Sequence, residues 1–225
     1  MAKRLQKEIE LFKAGDRVKL TFGVLICTIL AAFSLVVAAF TLIPITHYYL
    51  PSSAIFHPIK FWGIEHSLSD FVTQIEYVPQ IPAIACMTVI LGKRFSCVAI
   101  ILYLIAGLFF VPVFSLGGGL KYIFQYGFGY ILGFFPMVIV LSNCLKKDYS
   151  PKNVFLASLY SVAILHLFGM IYLVLLCAIR HEQFSYVQDL LTMMTVVKFW
   201  YDLFFTFIGV YIANLLRKIL WLSMD

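Results

Sequence analysis

The sequence contains few charged residues. Asp, Glu, Lys and Arg together make up only 12% of the 225 residues, about half the share that is usual in soluble domains. The mean hydropathy is correspondingly high, at +0.95. A soluble domain of this size needs a charged exterior, so the shortage of charge excludes most soluble folds. The apolar residues fall in runs of roughly 18 to 25, long enough to cross a hydrocarbon core as helices. The sequence therefore predicts an all-α membrane protein.

The sequence also lacks the motifs of several enzyme and metal-protein classes. Its five cysteines lie in or beside apolar runs and form no CxxC pair, which argues against a zinc site and a disulfide framework. It has no P-loop or other nucleotide motif. The basic residues before the first apolar run do not form a signal peptide. We therefore expect no metal, no cofactor and a first apolar run that is retained as a membrane span.

Six apolar runs are candidate transmembrane helices. They cover residues 20–45, 77–91, 95–114, 124–145, 154–179 and 196–216. A basic N-terminal segment, residues 1–19, precedes a transmembrane domain at 20–220. A long mixed connection, residues 46–76, separates the first two spans. Six spans place both termini on one side of the membrane, with segment 46–76 as a loop on the other side.

The basic residues indicate which side is which. Segment 1–19 and the short connections at 93–94, 146–152 and 217–218 hold most of the 17 Lys and Arg residues. Because cytoplasmic loops are enriched in Lys and Arg, both termini are predicted to be cytoplasmic and segment 46–76 to be external. The net charge of +6 then reports orientation in a plasma (inner) membrane, and we expect no nucleic-acid partner.

Several polar side chains remain within the predicted spans, at one depth near the external face. The candidate ligand-binding residues are Gln80, Tyr103, Gln125, Tyr126, Tyr130, Lys198 and Asp202. The loop after the third span adds Gly118 and Gly119, where a missing side chain allows backbone to approach a ligand closely. Since polar groups in lipid need partners from protein or ligand, the pattern predicts a small-molecule site in the outer half of the bundle.

Two buried polar residues have more than one interpretation. Asp202 either forms an ion pair with Lys198, one turn earlier, or accepts hydrogen bonds from a ligand. His166, near the middle of the fifth span, is either a histidine hydrogen-bonded to a neighbouring helix or a metal-binding or proton-relay residue. The predicted depths of His166 and Asp202 differ, which argues against a shared catalytic site and hence against an intramembrane enzyme.

Small residues are spaced for close helix packing. Gly129 and Gly133 are four residues apart, as at helix contacts in membranes. Gly23, Cys27 and Ala31 form a similar row on the first span. That row indicates either packing within the chain or docking onto a partner membrane protein.

Residues 102–134 resemble the signature region of the BioY family, the biotin-binding S components of energy-coupling factor (ECF) transporters. The resemblance lies in Pro112-Val113-Phe114, the glycine run that follows, and a block from Gly127 to Phe134 that contains Gly-Tyr-Ile-Leu-Gly-Phe. It is strongest over residues 77–145. Near the last span, members often have an aspartate followed three residues later by a lysine; here Asp202 is followed by Phe205.

The resemblance implies an S-component-like bundle of six spans with both termini inside. It implies a pocket covered by loop 46–76, biotin as the ligand, and no bond-making chemistry. It also implies an ECF transmembrane coupling protein and ATPase subunits as partners. An S component for another vitamin-like molecule remains an alternative. A membrane assembly or structural protein, or an intramembrane enzyme, is a second one.

Overall fold

The computed structural model describes residues 22–48, 71–146 and 149–222, together with Ile59, Gly63 and Ser67. Two strands and seven α-helices are named here in chain order. They are α1 (Phe22–Phe40), β1 (Ile43–Tyr48), β2 (Val72–Tyr77), α2 (Gln80–Ile105), α3 (Phe128–Leu132), α4 (Phe134–Leu145), α5 (Pro151–Ile179), α6 (Phe184–Leu191) and α7 (Val197–Leu222). The predicted segment 1–19 and most of loop 46–76 lie outside the described residues.

Membrane-spanning helices dominate the part of the chain that the structure describes. Five helical segments there are long and apolar enough to cross a bilayer: Phe22–Phe40, Gln80–Phe110, Phe128–Leu145, Pro151–Ile179 and Phe184–Arg217. Large apolar side chains such as Phe22, Phe33 and Ile179 are exposed on them, as expected for helices that face lipid. The prediction of a helical membrane protein is thus confirmed.

The helix α2 combines the second and third predicted spans and is broken at Gly92. Gly92 has φ 76° and ψ 174°, a backbone conformation that essentially only glycine adopts. Ser96 Oγ donates to the carbonyl oxygen of Met87 at 3.1 Å, whereas residues nine apart in a continuous helix are separated by about 13 Å. The two arms of α2 therefore fold back towards each other at Gly92.

A short antiparallel β-hairpin adds strand structure that the all-α prediction omits. In the described ranges, β1 pairs with β2 from Ile43 opposite Tyr77 to Tyr48 opposite Val72. The first predicted span extended to residue 45, but α1 ends at Phe40. Pro44 explains the earlier end, because proline disfavours the α conformation in the residue before it.

The last membrane segment starts well before the predicted residue 196. It comprises α6, a π-helical turn at Thr192–Val196 and α7, which together run continuously from Phe184. Polar residues between 185 and 192 interrupt the apolar pattern. Hydropathy alone therefore does not reveal that the helical segment starts this early. As a result Asp202 lies near the middle of the segment rather than in its outer third.

Glycines allow α3 and α4 to pack closely on α5, as the spacing of Gly129 and Gly133 predicts. A Cβ on Gly129 would overlap the side chain of Tyr172, and one on Gly133 would lie 2.8 Å from the carbonyl oxygen of Leu165. Gly169 of α5 in turn lies against the ring of Tyr130. The close approach confirms the predicted packing role of both glycines.

We expect Gly129→Ala to lower the free energy of unfolding by about 1–3 kcal/mol, because the added methyl group overpacks the contact with Tyr172. Thermal unfolding of the detergent-solubilised protein measures the change. Gly23→Ala is the matched control, since a Cβ at Gly23 meets no atom within 4 Å. Equal melting temperatures for the two variants would contradict the packing role of Gly129.

Candidate ligand-binding site

A cavity of about 320 Å³ lies among β2, the first turn of α2, α3, α5 and the last membrane segment. Its volume is at the lower end of the range of about 300–1,000 Å³ found for small-molecule pockets. Ser115 and Leu116, from the loop after α2, form part of the wall. The cavity is thus built from elements that are far apart in the sequence.

Asp202 of α7 is the centre of a buried hydrogen-bond network in the cavity wall. Its side chain is almost fully buried. Tyr77 Oη donates to Oδ1 at 2.9 Å, and His166 Nε2 lies 3.1 Å from Oδ2. Burying a carboxylate is costly unless it is hydrogen-bonded, and these two contacts supply that compensation. They also connect α7 to β2 and to α5.

Tyr77 is held as a hydrogen-bond donor to this carboxylate. Burial, followed by the charge of Asp202, raises the pKa of the Tyr77 phenol above its ordinary value, so the hydroxyl keeps its proton. The ring of Phe205 stacks on that of Tyr77, with 5.1 Å between centroids. Phe205, at the position where the resemblance leads us to expect lysine, therefore supports the tyrosine that contacts Asp202.

The prediction that His166 and Asp202 lie at different depths is wrong, because their side chains are in contact. The error follows from the start of the last membrane segment, which places Asp202 near mid-segment, level with His166. His166 meets a neighbouring helix through this contact, in agreement with the first of its two interpretations. The rings of Tyr130 and Phe199 contact its imidazole edge-to-face at 5.7 and 5.4 Å.

Four of the predicted site residues line the cavity: Gln80, Tyr130, Lys198 and Asp202. Tyr130 Oη is 2.6 Å from Thr195 Oγ1 in the π-helical turn. Lys198 is half-buried, and within the described residues Asp202 pairs with Tyr77 and His166 and forms no polar contact with Lys198. The alternative ion pair between Lys198 and Asp202 is therefore not formed.

Tyr103 lies behind the cavity wall rather than on it. It is buried, and its hydroxyl accepts a hydrogen bond of 2.8 Å from Gln80 Nε2. The amide of Gln80 is thereby fixed at the edge of the cavity. Tyr103 therefore positions Gln80 and does not itself line the cavity.

Gln125, Tyr126, Gly118 and Gly119 are not among the residues that line the cavity. The fourth span was predicted to start at residue 124, but α3 starts at Phe128, so Gln125 and Tyr126 precede the helix. Gln125 is exposed, and Tyr126 donates to Glu182 Oε1 at 2.7 Å.

The loop that contains Gly118 and Gly119 packs against other residues of the chain. A Cβ on Gly118 would meet the backbone of Pro112 and Gly107, and the N–H of Gly119 donates to the Gly107 carbonyl oxygen at 2.8 Å. These contacts anchor the loop to the end of the third predicted span. The loop then contributes Ser115 and Leu116 to the wall in place of its glycines.

Sequence reasoning missed Thr195 and the contacts of Tyr77 and His166 with Asp202. Each depends on residues far apart in the chain; Tyr77 and Asp202, for example, are separated by 125 in residue number. The sequence signal for these contacts was Asp202, because a carboxylate within a membrane span requires hydrogen-bonding partners. Nothing in the spacing of the residues identifies which partners those are.

Comparison with known proteins places this arrangement in a family. The BioY family model matches residues 68–221. A probable biotin transporter BioY from Lysinibacillus sphaericus is 31% identical over 86 residues, which is 37% of this chain and 44% of that protein. The chain thus matches less than half the length of this relative.

A crystal structure of the S-component for biotin from an ECF-type ABC transporter has a similar fold. The two structures align with a TM-score of 0.60 at 16% sequence identity, covering 89% of this chain and 95% of the other. At this identity the likeness concerns the fold. The family model, by contrast, matches well over half of the sequence, and the chain therefore belongs to the BioY family.

Proposed function

We propose that the chain is the substrate-binding membrane subunit, or S component, of an ECF-type uptake transporter, and that it binds biotin. The observation that carries the proposal is the cavity of about 320 Å³ around the Asp202 network, in a chain of the BioY family. The shared fold with the S-component for biotin supports it. The role is ligand capture without bond-making chemistry.

The cavity wall suits an amphipathic ligand such as biotin. Ile81, Ile131 and Phe134 offer apolar surface, and Tyr130 adds an aromatic ring that packs well on a fused ring system. Asp202 accepts hydrogen bonds from ureido N–H groups. The Lys198 ammonium, half-buried in the same wall, pairs with the biotin carboxylate. A lysine near this site thus comes from one turn before the aspartate rather than from position 205.

The topology that goes with this function has six spans and both termini in the cytoplasm. The fold-back of α2 at Gly92 supports it, because each arm then crosses the membrane separately. The basic residues Lys93 and Arg94 at the turn support a cytoplasmic position for it. The site, at the hairpin end of the bundle, then opens to the outside.

Transport requires a transmembrane coupling protein and ATPase subunits, which this chain does not supply. The row of Gly23, Cys27 and Ala31 is the proposed docking face. Gly23 and Cys27 are exposed and Ala31 is half-buried, while the adjacent face of α1, with Thr28, packs within the chain. A flat row of small residues permits close approach of a partner helix.

Another vitamin-like molecule is the alternative ligand, and Phe205 is the observation that favours it. A cation three residues after the aspartate is replaced here by an aromatic ring that stacks on Tyr77. Mass spectrometry of small molecules that co-purify with the solubilised protein distinguishes the two ligands. Recovery of a different molecule, with no measurable affinity for biotin, would refute the biotin assignment.

Asp202→Asn is expected to weaken biotin binding at least tenfold, equivalent to about 1.4 kcal/mol. The amide cannot accept hydrogen bonds from the ligand, Tyr77 and His166 as the carboxylate does. Isothermal titration of the purified protein measures the effect. Asp189→Asn, at an exposed aspartate, is the control and should bind as the wild type does. An unchanged Kd for Asp202→Asn would remove this residue from the site.

Cysteine labelling checks the topology. In a background without the five native cysteines, Arg94→Cys should react with a membrane-impermeant maleimide only from the cytoplasmic side. Lys121→Cys should react only from outside. Both positions are exposed. An unreactive cysteine at 94 would instead indicate that Gln80–Phe110 crosses the membrane once, because residue 94 would then lie within the bilayer.

Enlarging the docking row should separate transport from binding. We expect Gly23→Leu combined with Cys27→Leu to reduce radiolabelled biotin uptake at least tenfold in cells that also contain the coupling and ATPase subunits. The Kd of the isolated protein should not change, because both residues face away from the cavity. Ile29→Phe, on the opposite exposed face of α1, is the control. Normal uptake by the double variant would exclude this face as the docking surface.

A further inference from the structure

One nitrogen of His166 has no role in the network described above. His166 is 2% exposed and lines the cavity. Its Nε2 contacts Asp202, but its buried Nδ1 has no hydrogen-bond partner among the described residues. Buried polar atoms in folded proteins are normally paired. Since the side chain that carries this unpaired nitrogen lines the cavity, a bound ligand can supply the missing partner.

The contact with Asp202 determines which hydrogen bond Nδ1 makes. A carboxylate only accepts hydrogen bonds, so Nε2 carries the proton and donates to Oδ2. In the neutral imidazole the other nitrogen is then an acceptor. A neutral His166 with its proton on Nε2 therefore matches a ligand group that donates to Nδ1, an N–H or an O–H.

The orientation of the ring is fixed before any ligand binds. Tyr130 and Phe199 contact the imidazole edge-to-face from two directions. Tyr130 is itself held by Thr195 at 2.6 Å and by the close packing of Gly169. Because the ring is already oriented, accepting a hydrogen bond costs little conformational entropy.

We propose that His166 is a ligand-binding residue whose Nδ1 accepts a hydrogen bond from an N–H group of the ligand, with Asp202 fixing the tautomer and orientation of the imidazole. The inference rests on the proposed function, since biotin presents two ureido N–H groups of the required kind. Asp202 then acts on the ligand partly through His166, as a positioning residue.

The test compares biotin with its two mono-N-methyl derivatives, each of which lacks one ureido N–H. Wild-type protein should bind one derivative at least tenfold more weakly than biotin. His166→Gln keeps an amide nitrogen near the Nε2 position for Asp202 but has no counterpart of Nδ1. This variant should bind biotin about tenfold more weakly and no longer discriminate between biotin and that derivative. His181→Asn, at an exposed histidine, should behave as the wild type.

The outcomes separate the inference from the proposed function. Biotin binding by the wild type, with full discrimination retained in His166→Gln, overturns the inference and leaves the proposed function intact. A purely structural role of His166 would weaken binding of biotin and both derivatives equally, which also overturns it. Absence of biotin binding by the wild type overturns the proposed function, and with it the inference.

A second measurement decides the case in which His166→Gln does not fold. In [15N]histidine-labelled protein that retains His166 alone, through His47→Gln, His57→Gln, His66→Gln and His181→Asn, the Nδ1 resonance reports its hydrogen bond. We expect it to shift when biotin is added and to remain in place with the weakly bound derivative at the same occupancy. An Nδ1 resonance that biotin does not move would contradict the proposal.

Discussion

The buried carboxylate of Asp202 is the constraint on which the arrangement of the site depends. A charge in an apolar helical bundle is stable only when other groups satisfy it. Its two partners, Tyr77 and His166, come from the hairpin and from α5. Satisfying one carboxylate thus fixes the positions of three elements relative to one another. The same elements form the cavity wall. The contacts that stabilise the buried carboxylate therefore also shape the ligand site.

Close packing at glycines brings the rest of the wall into place. Gly129 and Gly133 admit α3 and α4 to the surface of α5, and Gly169 receives the ring of Tyr130. Without a hydrophobic driving force between helices in lipid, such contacts are a main source of helix association. The contact of Tyr130 with His166 follows from them, so helix packing and orientation of the polar network are parts of one arrangement.

The membrane class, most helix positions, the packing glycines and four cavity residues could be predicted from the sequence. Hydropathy is a local property and can be read from the sequence. A carboxylate in a span is conspicuous because burying it in lipid is costly. A row of glycines is conspicuous because it permits close helix packing. Predictions failed where a helix began elsewhere than its apolar run. The early start at Phe184 moved Asp202 to the level of His166, and the late start at Phe128 left Gln125 and Tyr126 outside the cavity.

Three properties of this chain follow from its sequence alone: it crosses a membrane, it resembles the BioY family, and Asp202 requires partners. These properties depend on composition, short motifs and the cost of burying charge, all of which are readable along the chain. The fold in three dimensions makes Tyr77 and His166 the partners, lets Phe205 support Tyr77, and leaves Nδ1 of His166 buried and unpaired among the described residues. These contacts join residues far apart in the sequence, and helix offsets of a few residues are enough to make or break them.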